Sequence, residues 1–202
     1  KRVIAACKLA GVRRLLQMSS LNAGRGSSHY LKSRGEAEAA VKASGLDWTI
    51  FEPSVIFGTG DGLFMRFAAL IKYPPVLPLA CADAKFAPVY VGDVAAAFVA
   101  CLERKDAAGR TFQLCGPDVM TLGDIVRLTA HYLGLKRRVI PLPRTVSRVQ
   151  AAVMDFVPGK PFSTDNFLSA TLDSTCDCDG LAELGLERTA MRSVLPRYLQ
   201  PR

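Results

Sequence analysis

The sequence predicts an α/β protein whose core is a parallel sheet covered by helices, and three observations carry that reading. First, short apolar runs at residues 12–18 and 48–51 flank an Ala-rich helical stretch, so strand, helix and strand follow one another through short joints. Second, 50% of the 202 residues are hydrophobic and 22% are charged. A chain of that length and make-up buries roughly 70% of its unfolded surface and needs no metal or disulfide staple. Third, Leu, Val, Ala, Ile and Phe recur along the whole length, which excludes intrinsic disorder. The longest apolar run, residues 94–102, is far short of the ~20 residues a membrane-spanning helix needs.

Residues 1–10 read as the end of a helix with Val3, Ile4, Cys7 and Leu9 apolar, stopped by Gly11. Residues 12–18 (VRRLLQM) form a short buried strand that runs into Ser19, Ser20, Asn22 and Gly24. Ser27 or Ser28 caps a helix to about Ala43, and Gly45 ends it. The strand at 48–51 is broken by Pro53. Residues 63–71 are helical, and Pro74, Pro75 and Pro78 make an extended link. Residues 86–91 are strand-like. Asp93 is expected to cap the helix 94–102, whose alanines allow close packing on a sheet. A strand at 111–115, a helix from Thr121 to Leu133, a strand at 139–142 and an amphipathic helix at 144–156 follow. Shorter helical pieces are expected at 164–172 and 189–199, and no internal repeat occurs.

Net charge is +8, with basic residues concentrated before Glu36 and again between Arg127 and Arg148. Solvated helix faces account for such an excess, while a phosphorylated ligand, an anionic membrane surface or an acidic partner are the functional readings. Nucleic acid is not expected, because aromatic residues are not interleaved with the basic ones. The six cysteines are scattered, and Cys176-Asp177-Cys178 lacks a second pair at zinc spacing. No metal site is expected, and reduced cysteines in an intracellular, cytoplasmic setting are the default. The chain starts at Lys1 with no signal segment, and an α/β chain opening midway along a helix is read as preceded by further βαβ units.

Three segments carry the chemistry: MSSLNA at 18–23, SSHYLKSRGEAE at 27–38 and DWTIFEPSVIFGTGD at 47–61. Ligands of open α/β sheets bind at the carboxyl ends of the strands. The i, i+4 spacing puts Tyr30 and Arg34 on one helix face, where a cation can hold ribose hydroxyls and favour the ionised phenol. Plainer readings stand beside these. Tyr30 also fits a half-buried helix aromatic, Ser19 and Ser20 fit turn caps, Arg34 fits an ion pair with Glu38, and His29 fits the surface. Glu52 has no assignable role.

This arrangement resembles the short-chain dehydrogenase/reductase superfamily, in its extended and atypical branch related to NAD-dependent epimerases and dehydratases. Within that branch it is most similar to the NAD(P)H-binding accessory subunits of respiratory complex I and their bacterial relatives. The run from Trp48 to Asp61, PVYVGDVAAAF at 88–98, and the DNFLSATLD and VLPRYL stretches carry the likeness. The resemblance implies the C-terminal portion of a Rossmann-like doubly wound parallel sheet with a smaller, helix-rich, substrate-side lobe. Residues 1–116 would form the second half of the dinucleotide-binding domain, with part of the lobe inserted at about 61–85, and residues 117–202 the lobe itself. No glycine-rich phosphate turn of the G-x-G-x-x-G kind is found between a strand and a helix.

Residue by residue, the likeness makes Tyr30 the catalytic tyrosine and places Arg34 where the family usually has lysine. The polarising hydroxyl falls at Ser20 or Leu21. Ser19 and Ser20 lie beneath the nicotinamide of NAD or NADP, with NADPH favoured, and Pro53, Ser54 and Val55 line it. A guanidinium does not shuttle a proton as an ammonium does. Two functions therefore stay open: an oxidoreductase or epimerase-like enzyme acting on a small molecule, or a non-catalytic NADPH-binding subunit. The latter would sit peripheral to an inner membrane or bind an acidic protein.

Overall fold

The computed structural model describes residues 1–157 and 162–200. Helix α1 (Arg2–Leu9) leads through Gly11, at φ 68°, into strand β1 (Arg14–Met18). Helix α2 (His29–Lys42) and strand β2 (Asp47–Pro53) follow. Strand β1 pairs in parallel with β2 in the register Arg14 to Asp47 through Met18 to Phe51. This is the strand–helix–strand unit expected from the sequence.

After β2 come β3 (Ile56–Phe57), α3 (Phe64–Leu70), β4 (Val76–Leu79), β5 (Lys85–Phe86), β6 (Val89–Tyr90) and α4 (Val91–Cys101). Strand β7 (Arg110–Leu114) completes the parallel sheet in the order β1-β2-β7, with Phe51 opposite Phe112. The remainder is β8 (Met120–Thr121), α5 (Leu122–Tyr132), β9 (Arg138–Pro141), α6 (Arg144–Met154), α7 (Thr164–Ser169), α8 (Gly180–Glu183) and α9 (Met191–Val194).

One core lies on the sheet, where Phe51, Phe112 and Leu114 meet Val94, Ala97 and Cys101 of α4 and Leu181 and Leu184 from the α8 turn. The small side chains of α4 bring its axis close, as an Ala-rich face allows. Arg14 locks the same layer: its guanidinium donates to Thr49 Oγ1 (2.8 Å) and to the carbonyl of Cys101 at the end of α4 (2.7 Å). A cation there also opposes the negative end of the helix dipole. A second core joins Ile71, Leu77, Leu79, Leu122, Val126 and Val139, which links segment 63–79 to α5 and β9.

Four local expectations change. The proline-rich link contains strand β4, paired in parallel with β9, because a two-stranded ribbon leaves Pro78 no missing ladder partner on its outer edge. Residues 86–91 are not one strand: β5 pairs with β8 and β6 with β3, and Ala87-Pro88 separates them. Asp93 is not the cap of α4. The helix starts at Val91, and the Asp93 carboxylate accepts hydrogen bonds from the backbone N–H (2.8 Å) and hydroxyl (2.7 Å) of Thr189.

The fourth concerns cysteine. Cys115 and Cys176 are joined in a disulfide, their Cα atoms 6.0 Å apart, against the expectation of reduced thiols. Backbone pairing of Ala87 with Ser174 draws the segment carrying Cys176 along the end of the sheet, onto Cys115. A separation of 61 residues gives no sign of this in the sequence. No helix among the described residues is long and apolar enough to cross a membrane.

Candidate functional site

Strands β1 and β2 end side by side, and their carboxyl ends open onto a cavity of about 670 Å³. Ser20 and Leu21 reach it from β1, Tyr30 and Leu31 from α2, and Pro53, Ser54 and Val55 from β2. The turn after β1 is sharp: Asn22 stands at φ 62°, a left-handed conformation that Asn tolerates better than most residues. Its side-chain amide donates to the carbonyl of Asp173 (2.8 Å). The same turn approaches α2 so closely that a Cβ at Gly35 would lie 2.4 Å from the Gly24 Cα, which explains glycine at 35, while a φ of 75° favours glycine at 24.

Helix α2 is positioned by side-chain acceptors at its N-terminus. Ser28 is its cap, with Oγ accepting from Leu31 N–H (3.0 Å) and its carbonyl accepting from Lys32 N–H (3.1 Å). The two preceding N–H groups, of His29 and Tyr30, donate to the carboxylate of Asp165 on α7. The N–H groups of the first three helical residues, which find no partner within the helix, are thereby satisfied, two of them by a residue distant in the chain. Ser169 on α7 also donates to Ser28 Oγ (2.9 Å).

The structure brings Ser20, Tyr30, Pro53, Ser54 and Val55 to one cavity. Ser19 and Ser20 are buried, and the hydroxyl of each has no protein partner. Between the two candidates for the polarising hydroxyl, Ser20 supplies one, while Leu21 packs into an apolar cluster with Ala87 and Cys115. Arg34 does not pair with Glu38. Its guanidinium sits over the Tyr30 ring, 5.1 Å from the centroid, and donates to the Met18 carbonyl at the end of β1 (3.3 Å). Glu38 instead binds Lys42 (3.0 Å). Ser54 is engaged within the protein, its hydroxyl donating to the Ser174 carbonyl (2.7 Å).

Two acidic residues were not singled out by sequence reasoning. Asp165 lies within Ser163-x-x-Asn166, a capping box that announces α7, but nothing local announces its hold on α2. Asp61 accepts from the N–H groups of Leu63 (2.8 Å) and Phe64 (2.6 Å), and from the hydroxyl of Tyr198 (2.7 Å). Burial and that carboxylate push the Tyr198 phenol up. Glu52 faces a separate polar cavity of about 280 Å³ with Glu38 and Gln113. Burial and the neighbouring Glu38 push its carboxyl above the ordinary value of 4.5.

A three-stranded parallel sheet under helices, with hydroxyl-tipped strand ends facing a helix-borne tyrosine and cation, is the ligand-binding end of a Rossmann-like fold. Residues 1–63 match a family model described as NAD(P)H-binding. Over its first 63 residues the chain is therefore similar to NAD(P)H-binding proteins, and as a whole it has the Rossmann-like fold of NAD-binding dehydratases and reductases. It is 34% identical to NADH dehydrogenase [ubiquinone] 1 alpha subcomplex subunit 9, mitochondrial, of Arabidopsis thaliana, over 80% of this chain and 41% of that protein. It is 32% identical to the ceramide reductase of Caulobacter vibrioides, over 74% of this chain and 47% of that one. The NADPH-dependent quinone oxidoreductase QOR2 of Escherichia coli has the same fold, with a TM-score of 0.75 at 21% identity, over 93% of this chain and 68% of that one. The chain spans about half the length of the curated relatives it matches.

The residues present fit the nicotinamide end of such a cofactor. Ser19 and Ser20 offer buried hydroxyls without protein partners at the strand end, where a polar ligand group can complete them. Tyr30 lines the same cavity as Ser20, Arg34 lies over the Tyr30 ring without lining that cavity, and the wall at Pro53–Val55 is closed by its own hydrogen bonds.

Proposed function

We propose that this protein holds NAD(P), with NADPH favoured, against the ends of β1 and β2 and reduces a carbonyl compound in the adjoining cavity. The observation that carries the reading is the convergence of Tyr30 and the unpartnered Ser20 hydroxyl on one cavity. When bound, the reduced cofactor supplies a hydride. Ser20 orients the carbonyl oxygen by donating to it. Tyr30 delivers the proton that turns that oxygen into a hydroxyl, and its position is set by Asp165 through the N-terminus of α2. Arg34 stabilises the phenolate left behind and, through its hold on Met18, keeps α2 against β1. Positioned acid–base catalysis contributes typically about 10²–10⁴-fold. Tyr30→Phe should lower kcat by that order while cofactor affinity stays within a few-fold, measured by stopped-flow turnover and cofactor fluorescence titration. Undiminished turnover overturns the role.

A second reading has its own support. Arg34 carries no transferable proton at neutral pH, so a site with arginine here suits holding a dinucleotide without turning it over. The identity with a complex I subunit points the same way. Under this reading NADPH raises the thermal stability by mass action, yet no carbonyl compound oxidises it. The outer side of α6 fits a peripheral, membrane-facing role: Val146, Val149 and Val153 are exposed in a stripe alongside Arg144 and Arg148. Vesicles containing anionic lipid should sediment with the protein at low salt and release it at high salt. Salt-insensitive or absent association overturns that face as a membrane contact.

A further inference from the structure

We propose that the cavity beside Tyr30 takes a long-chain aliphatic ligand carrying a single carbonyl, and not a sugar nucleotide. This rests on the reading of Ser20 and Tyr30 as the carbonyl-facing groups. Away from those two residues the cavity is walled by Leu63, Phe67 and Leu70 of segment 63–70, Leu77 and Leu79 of β4, and Met154 of α6. Among the described residues, the charged ones lining it are Arg66 and Asp165. A nucleoside diphosphate carries about two negative charges and needs several cations or free backbone donors to leave water. One arginine does not supply them, and Asp165 adds a repelling charge that is already committed to α2.

Three polar side chains on the walls are also engaged elsewhere. Ser54 donates to Ser174, Ser169 donates to Ser28, and Asn166 closes the capping box with Ser163. A sugar ring would bring several hydroxyls to these walls and leave them without partners. Ser20 is the contrary case: it is 8% exposed, its hydroxyl is unpartnered, and it faces the cavity. An unpartnered hydroxyl at the strand end and walls that are mostly apolar match a molecule with one polar end.

The test is calorimetric titration of the protein, loaded with oxidised cofactor, with a series of unbranched methyl ketones of increasing chain length. Affinity should rise about three- to fourfold for each methylene added, the fold-change to which about 0.8 kcal/mol per buried CH₂ converts, until the cavity is filled. Ala170→Phe, which fills the cavity from its partly exposed α7 end, should abolish the gain for the longer members and leave short ketones unchanged. A flat dependence on chain length, or tighter binding of UDP-glucose than of the longest ketone, overturns the proposal. The chain-length series needs no variant, so misfolding of Ala170→Phe does not remove the test. Turnover of the same ketones with reduced cofactor separates this inference from the catalytic reading. A chain-length dependence retained by an unmodified protein that turns nothing over supports the ligand class and refutes the catalysis. Turnover of ketones with no dependence on length does the reverse.

Discussion

Replacing Asp165 with alanine removes the acceptor for two N–H groups at the start of α2 and leaves the Ser28 hydroxyl to serve that of Leu31. Loss of an N-terminal capping acceptor costs about 0.5–2 kcal/mol, and loss of a negative charge at a helix N-terminus a further ~0.3–1 kcal/mol. His29 and Tyr30 are exposed, so water replaces part of what is lost, which favours the lower half of that range. The expected destabilisation is about 1–2 kcal/mol. For a chain of this size each kcal/mol shifts Tm by about 2–4 °C, so the melting temperature should fall by roughly 2–8 °C. Asp165→Asn keeps an acceptor but not the charge and should lie between the two. Thermal melts give the magnitude, and hydrogen exchange gives the location: the amides of His29 and Tyr30 should lose protection while that of Leu31 keeps it. An unchanged Tm together with unchanged exchange at residues 29 and 30 would refute the claim that α7 holds the tyrosine helix.

The other outcomes are as specific. The Cys115–Cys176 bond closes a 61-residue separation, for which chain entropy gives about 4 kcal/mol and typical disulfides about 2–4 kcal/mol. Reductant should therefore lower Tm by about 4–16 °C. The denatured, unreduced protein should also show four titratable thiols, those of Cys7, Cys81, Cys101 and Cys178, and a count of six would remove the bond from the account. Glu52 has its carboxyl pushed up by burial and by Glu38, so folding favours its protonated form. The stability linked to this group is present at low pH and is lost as pH rises from its ordinary value of 4.5 through the raised one. Glu52→Gln, which can still bond to Gln113, should raise Tm at neutral pH and show a shrinking advantage as the solution is acidified. A pH-independent difference would contradict that linkage.

The local patterns were legible wherever a single element determines them. The apolar run before Ser19, the Ala-rich stretch after Ser28 and the run broken at Pro53 are backbone and periodicity signals, and they place β1, α2 and β2 without reference to anything distant. The i, i+4 relation likewise puts Arg34 beside Tyr30, because helix geometry alone brings those side chains together. The proline-rich segment misled for the opposite reason. Val76–Leu79 is a strand only because β9, some sixty residues later, offers it a partner, and local propensity carries no trace of that pairing.

What the sequence determined by itself is the strand–helix–strand frame and the residue types at the strand ends. Only the tertiary structure decided what those residues face. Asp165 reaches the start of α2 across a separation of 135 residues, Cys176 meets Cys115, Thr189 takes the Asp93 carboxylate, and leucines from widely separated segments wall one cavity. The physical reason is that periodicity records a residue's burial against its own element's axis, whereas the partner that buries it is chosen by how the whole chain closes on itself.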